Sequence, residues 1–166
     1  MPQYSFGLST AKFGTKGAND IMGAVLAAIG KSREGTVSFS IPEQTKTEFR
    51  SEEDEAPVFQ IADNDKPAVF ELEIMDADAV SLQTVFGGTV TGTSPKVWEP
   101  ALSSPIIELS CEITTKNGVI IKIPRGAITP MVDFKISRKE LWGVKVRVEA
   151  LKPASALLAP YSISFP

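Results

Sequence analysis

The sequence predicts a mainly β protein with a minor helical part: an antiparallel β-sandwich or barrel flanked by one helix. About eight short segments alternate apolar and polar residues along the 166 residues, with the two-residue period of half-buried strands. The clearest segment, residues 107–113, is followed by Asn117-Gly118, the strongest short-range signal for a β-hairpin. Helical segments interrupt the strands without regular alternation, so hairpin connections are favoured over βαβ units.

The longer predicted helix lies in the first 30 residues. Apolar residues recur at helical spacing in residues 21–29, Asn19 or Asp20 can cap the start, and Gly30 suits a left-handed cap at the end. Before it, the pattern predicts a strand at 3–9 and a mobile loop at 12–16; after it, strands at 37–41 and 45–50 that pair as a hairpin.

The remaining elements are predicted from alternation and from turn residues. They are a charged loop at 51–57, a turn at 62–67, a strand at 70–74, a short helix at 76–86, a loop at 89–104, and strands at 107–113, 119–123, 132–136 and 144–148, with a break at Pro124. We expect residues 1–151 to form one domain and residues 152–166 to form an extended apolar arm. The arm either lies on a neighbouring subunit or folds back on its own domain.

Composition indicates a protein made in a cytoplasm. The first residues lack the basic stretch and apolar run of a signal peptide. The longest weakly polar stretch, residues 21–30, is about half the length that crosses a bilayer, so no membrane partner is expected.

The sequence contains no histidine. This removes the commonest general base, the commonest zinc ligand and the usual partner of a Ser or Cys nucleophile. The single cysteine, Cys111, lies on the apolar side of an alternating segment and is predicted to be a buried small hydrophobe. We therefore predict that the chain is not an enzyme and has no catalytic residues.

Three other groups lack the spacing of a ligand site. Gly87-Gly88, with Gly92, has no P-loop Lys-Ser or Lys-Thr after it and is predicted to stop a helix. The acidic residues 52–55 lack the spacing of a calcium loop. Glu71 and Glu73 fall on one face of one strand, whereas glycosidase carboxylates flank a cleft, so an exposed strand face is expected. The prediction is no cofactor, no cofactor-binding residue and no metal ligand.

The net charge is only −3, but acidic and basic residues are concentrated in different parts of the chain. Residues 43–78 contain twelve acidic and three basic residues, net −9, and residues 116–152 contain nine basic and three acidic, net +6. Lys135, Lys145 and Arg147 could meet phosphate, but few aromatic residues are interleaved with them. A contact between subunits, acidic stretch to basic stretch, explains the same charges without nucleic acid.

The order of features resembles the major tail tube proteins of tailed phages, particularly those of phages and prophages of gut bacteria of the Bacteroides group. The likeness lies in order and pattern over most of residues 20–150. It is carried by IMGAVLAAIGK (21–31), GTVSFSIPEQTKTEF (35–49), the acidic loop EDEAPVF, FELEIMDADAVSLQTVFGG (70–88) and IIKIPRGAI (120–128).

The resemblance implies a non-catalytic structural virion protein of the phage tail, made in the bacterial host cytoplasm. Its partners would be copies of itself in hexameric rings stacked head to tail, other tail proteins such as the tape measure, and double-stranded DNA that passes through the lumen without specific binding. A negative lumen that repels phosphate is a further hypothesis. The alternatives are a β-sandwich binding module, carbohydrate-binding or adhesin-like, and a related tube protein of a contractile injection system.

Overall fold

The computed structural model describes residues 7–43, 45–53, 56–63, 66–103, 106–133 and 142–166. This part of the chain is mainly β, with antiparallel sheets and one α-helix, as predicted. The strands are β1 Leu8–Thr15, β2 Ala27–Ala28, β3 Ser38–Ser40, β4 Thr45–Arg50, β5 Pro57–Asp63, β6 Val69–Ile74, β7 Thr89–Thr91, β8 Val97–Glu99, β9 Ile107–Thr115, β10 Ile120–Asp133, β11 Gly143–Ala150 and β12 Ser162–Ser164, and the helix α1 is Ala79–Phe86.

The main sheet has the strand order β2-β1-β9-β10-β11-β6-β3, with β12 added to the start of β10. Alternate side chains of its long strands point to one common side and form the core. β11 shows the pattern most clearly, because Val144, Val146 and Val148 are fully buried while Lys145 and Arg147 between them are exposed. The other fully buried side chains of this core include Phe70, Ile74, Val85, Cys111 and Ile123.

The segment between β2 and β3 joins the two ends of this sheet. It starts from β2, which pairs with β1 through Ala27 and Ala28, and Ser32 within the segment then forms a bridge with Ile74 of β6. The Arg33 N–H donates to the Glu73 carbonyl at 2.7 Å. The sheet therefore curves like a barrel until its ends share one connecting segment.

Strand β10 continues through Pro124, so the predicted break there is wrong. The register of β10 against β9 shifts between Ile123 and Gly126, which marks a β-bulge. A bulge tolerates proline because no ladder hydrogen bond is required from that nitrogen. The Pro124 carbonyl instead accepts a hydrogen bond from the Ser110 hydroxyl at 2.6 Å. Of the predicted strand at 132–136, the first two residues belong to β10 and residues 134–136 lie outside the described residues.

The predicted helix at residues 21–29 is wrong, and so is most of the predicted loop at 12–16. Strand β1 runs on to Thr15, and residues 21–29 lie beside its end without forming a helix. The close approach needs glycine: a Cβ at Gly14 would stand 2.1 Å from the Val25 carbonyl oxygen, and the Gly23 N–H donates to the Ser110 hydroxyl at 2.9 Å. A helix this short gains little stability on its own. The contacts with β1 and Ser110 therefore decide the conformation of residues 21–29, although their apolar residues have helical spacing.

The shorter predicted helix is confirmed, with a start three residues later than expected. The Asp78 carboxylate caps α1 by accepting from the Ser81 N–H at 2.8 Å, and Gly87 ends the helix with a φ of 74°. The predicted loop at 89–104 instead contains the hairpin β7–β8. Its Trp98 indole N–H donates to the Gly87 carbonyl at 2.8 Å, which fixes the hairpin on the helix end.

The C-terminal segment folds back on its own chain. β12 pairs with β10 in register, Ile163 opposite Ile121. Just before it, the Tyr161 ring meets the Phe39 ring edge to face at 5.7 Å. Of the two alternatives for the arm, the described residues therefore show the intramolecular one.

Candidate assembly surface

In the described part of the chain, strands β4 and β5 form a two-stranded ribbon that is separate from the main sheet. Threonine, valine, isoleucine and phenylalanine give both strands a β preference, and the acidic loop follows β4. The predicted hairpin of residues 37–41 with 45–50 is wrong, because β3 pairs with β6 and places Phe39 opposite the buried Phe70. The sequence cannot distinguish these pairings, since both join one short β segment to another.

The ribbon has one apolar face and one polar face. On the apolar face Phe49 lies opposite Phe59, with ring centroids 6.3 Å apart, and Ile61 lies opposite Thr47. The two phenylalanines are 51% and 60% exposed. On the polar face Glu48 accepts from Arg50 at 2.9 Å and from Gln60 at 3.1 Å.

The described residues leave this apolar face exposed, whereas a stable ribbon needs that face packed against another surface. Every described residue of β4 is exposed, and Val58, in a bulge of β5, is 65% exposed. A hairpin alone in water is marginally stable at best, and it gains independent stability when its apolar face packs on something else. The ribbon is therefore the described feature best suited to contact another protein surface.

Cys111 is buried as predicted. Its side chain is 0% exposed, and burial raises the pKa of the thiol far above its usual value. A thiol held in its protonated form is a poor nucleophile. The interpretation of Cys111 as a small core hydrophobe is confirmed.

Glu71 and Glu73 do not share an exposed strand face. Glu71 is exposed as predicted, but Glu73 is only 8% exposed, and its carboxylate lies 2.6 Å from the Arg33 guanidinium. The expectation for Glu73 is wrong because its partner comes from a segment 40 residues earlier in the chain.

The glycine-rich segment forms turns, as predicted. Gly87 ends α1, and Gly88 has a φ of 87° and approaches the Glu99 carbonyl so closely that a Cβ would stand 2.1 Å from its oxygen. Among the described residues, no group of three or more His, Cys, Asp or Glu side chains lies close enough to hold a metal ion.

The acidic and basic stretches meet in part within the chain. Arg147 on β11 reaches Glu71 on β6 at 3.4 Å and Glu149 on its own strand at 3.1 Å. Lys145 stands opposite Glu73 in the ladder, but the Glu73 carboxylate is paired with Arg33. Of the three basic residues singled out from the sequence, Arg147 is thus partnered internally, Lys145 is exposed, and Lys135 lies outside the described residues.

A cluster of four charges ties distant parts of the chain together. Lys16 contacts Asp20 at 2.6 Å, and Arg125 contacts Asp20 at 3.2 Å and forms a two-point contact with Glu108, at 2.8 and 3.0 Å. The Ala154 N–H also donates to Asp20 at 2.9 Å. This cluster was not predicted from the sequence, because its contacts join residues up to 134 positions apart, Asp20 to Ala154, that share no local pattern.

Mutual contacts shift the pKa values within this cluster. Hydrogen bonds from Lys16 and from the Ala154 backbone, with the charge of Arg125, lower the pKa of Asp20. Arg125 and then Lys16 lower the pKa of Glu108. The same bonds raise the pKa of Lys16. The cluster therefore holds the start of the C-terminal segment to β9 and β10 while its carboxylates are ionised.

Within the described residues, no helix is both long enough and apolar enough to span a membrane. Comparison with protein-family models and with curated proteins found no match to this chain.

Proposed function

We propose that the chain is the structural subunit of a phage-type tail tube, which polymerises into stacked rings and forms the conduit for DNA. The observation that carries this proposal is the β4–β5 ribbon, whose apolar face is exposed in the single chain. A patch of this kind marks an interaction site. A subunit whose only task is assembly needs such a surface and needs no catalytic cluster.

In this proposal the ring is hexameric, the rings stack head to tail, and the tube surrounds the tape measure before DNA passes. The protein then resides in the virion tail after synthesis in the bacterial cytoplasm. The order of sequence segments that resembles tail tube proteins supports the same assignment. A tube of a contractile injection system would use the same surfaces.

The aromatic residues favour a tube over a carbohydrate-binding module. A sugar-binding face would present exposed Trp and Tyr side chains. Among the described residues, Trp98 is bonded to the end of α1, Trp142 packs against the core and Tyr161 packs on Phe39. The exposed aromatic pair is Phe49 with Phe59, which suits an apolar protein contact.

Replacing Phe49 and Phe59 together by serine tests the proposal. We expect the wild-type chain to form rings or tubes as concentration rises, as seen by sedimentation velocity and negative-stain images. Burial of the exposed parts of two phenylalanines contributes about 2–3 kcal/mol per contact, so the double variant needs roughly a 30- to 150-fold higher concentration to assemble.

The control is Gln60→Ser, on the polar face of the same ribbon, which we expect to assemble like wild type. Both variants should keep the melting temperature of the monomer, because the ribbon lies outside the core. A wild-type chain that stays monomeric at all concentrations contradicts the proposed function, whereas unchanged assembly of the double phenylalanine variant contradicts the role of the ribbon in assembly.

A further inference from the structure

The curved main sheet leaves one of its sides partly open. β1 pairs with β9 along its whole length, but its other edge pairs with β2 at Lys12 and Phe13 only. In the described part of the chain, no strand is hydrogen-bonded to that edge at residues 8–11. An unpaired strand edge offers a row of backbone donors and acceptors to an incoming strand.

Two cavities lie along this open side. A cavity of about 340 Å³ separates residues 8–11 from residues 28–32. A larger one of about 750 Å³ follows, and Leu8 and Ser32 line both, so the two form one continuous depression, which we call the side groove. Its floor reaches the core, since the apolar lining of the larger cavity is Leu8, Val37, Phe39, Phe70, Ile113 and Ile121.

The mouth of the side groove carries an available positive charge. Lys116 is exposed, and the described residues provide no ion-pair partner for its ammonium group. Its aliphatic stem lies across Gly7, where a Cβ would stand only 3.1 Å from the lysine Cδ. Arg33 and Glu34 also line the groove, and Arg33 is paired with Glu73, so the charged lining residues of the larger cavity are two basic and one acidic.

We propose that the side groove receives the β4–β5 ribbon of a second copy of this chain. The inference rests on the proposed function and names the two surfaces that join in the assembly. An outer edge of the ribbon would extend the sheet at residues 8–11, as peptides do when they add a strand to a sheet edge. Its apolar face would lie on the groove floor, and the start of its acidic loop, residues 51–53, would lie near Lys116.

The size of the ribbon favours a groove over a flat contact. The exposed parts of Phe49, Val58, Phe59 and Ile61 present on the order of 400 Å² of apolar surface. A stable interface buries roughly 800 Å² on each partner. A ribbon lying flat would bury one face only, whereas a ribbon in a groove also buries its edges and part of its loop.

The geometry also determines the type of assembly. The ribbon and the side groove are different surfaces of the same chain, so the contact is heterologous. Such a contact leaves a free ribbon on one copy and a free groove on the next. It therefore generates closed rings or open helical filaments, not a closed two-fold dimer.

Charge reversal tests the proposed pairing. We would measure the concentration at half-assembly for Lys116→Glu, for Glu52→Lys with Glu53→Lys, and for the three changes combined. Placing like charges together should raise that concentration roughly three- to thirtyfold in each separate variant, and the combined variant should recover most of the loss. The matched control is Lys145→Glu, an exposed lysine on the outer face of β11, alone and with the same loop changes.

The outcomes separate the pairing from the function. Tubes that form normally in the Lys116→Glu variant, or a combined variant that recovers nothing, overturn the side groove and leave the proposed function standing. If the loop changes restore assembly when they are combined with Lys145→Glu and not with Lys116→Glu, the loop contacts the outer face of the sheet. That outcome would also overturn the side groove. A wild-type chain that never assembles contradicts both. Unchanged monomer melting temperatures in all variants show that the effects belong to the contact.

Discussion

At the scale of single residues, Cys111 shows how strand alternation places a side chain. It lies in register between Phe13 of β1 and Ile123 of β10, and all three are buried. Its position was predictable because alternation is a local property of β9. The partner of Glu73 was not predictable, because Arg33 arrives through a connection that no local pattern encodes.

Replacement of Cys111 by serine should destabilise the fold by about 1–3 kcal/mol, because serine buries a hydroxyl without a hydrogen-bond partner at this position. Urea unfolding followed by circular dichroism measures the change. Wild-type Cys111 should also react with a thiol reagent far more slowly in the native protein than in urea. Equal labelling rates in the two states would show that the side chain is accessible.

At the scale of elements, strong alternation predicted strands correctly, and the Asn117-Gly118 hairpin of β9 with β10 is confirmed, whereas the predicted pairing of 37–41 with 45–50 is wrong. Residues 107–113 and 144–148 are strands as predicted, since each has a complete period-two pattern. The partner of 45–50 was wrong because the neighbouring strand at 57–63 was not predicted, and because β3 instead pairs with the distant β6. The predicted helix at 21–29 is wrong for a related reason: Gly23 lies against Thr15 of β1 and Gly14 of β1 lies against Val25, and these contacts decide the conformation of the segment.

The charge cluster that joins β9, β10 and the C-terminal segment should make stability depend on pH. Asp20 and Glu108 have lowered pKa values in the folded protein. Their contribution to the free energy of unfolding is therefore complete above the usual carboxyl pKa of about 4. It is lost as the pH falls through their lowered pKa values in the folded protein. Lys16 has a raised pKa, so it stabilises the fold fully at pH values below the usual lysine pKa. This stabilisation is lost at high pH, as the pH rises through the raised pKa of the folded protein.

The variant Asp20→Asn isolates this charge. Asp20 has a φ of 58°, and asparagine is among the few residues that tolerate this conformation, so the backbone should be kept. We expect a lower urea midpoint than wild type at pH 7 and convergence of the two proteins as the pH falls below the usual carboxyl range. Glu34→Gln, at an exposed carboxylate, is the control and should follow the wild-type curve. Parallel curves for wild type and Asp20→Asn over this range would contradict the cluster's role.

At the scale of the whole molecule, the candidate assembly surface lies outside the core. The core comes from the main sheet and α1, and its residues follow from apolar alternation. The ribbon also contains apolar residues, Phe49, Val58, Phe59 and Ile61, yet they remain exposed because, in the described part of the chain, β4 and β5 pair with each other and not with the main sheet. Residues 45–50 were predicted as a strand, but β5 was missed, because residues 51–57 were predicted as a loop and 62–67 as a turn. Exposure also depends on which strands pair. The segregation of charge was visible in the sequence, whereas the internal pairing of Arg147 was not.

Ionic strength should reveal how much of the assembly is electrostatic. The ribbon loop carries four consecutive acidic residues, 52–55, in a chain whose basic charge is concentrated in residues 116–152. Exposed charges interact over about 10 Å at 0.1 M salt and only about 3 Å at 1 M, so sodium chloride should raise the concentration at half-assembly and slow assembly. Replacing Glu52 and Glu53 by glutamine should weaken this dependence at unchanged monomer melting temperature. Assembly that strengthens steadily with sodium chloride would instead show that burial of Phe49 and Phe59 drives the contact and that the acidic loop does not contribute to it.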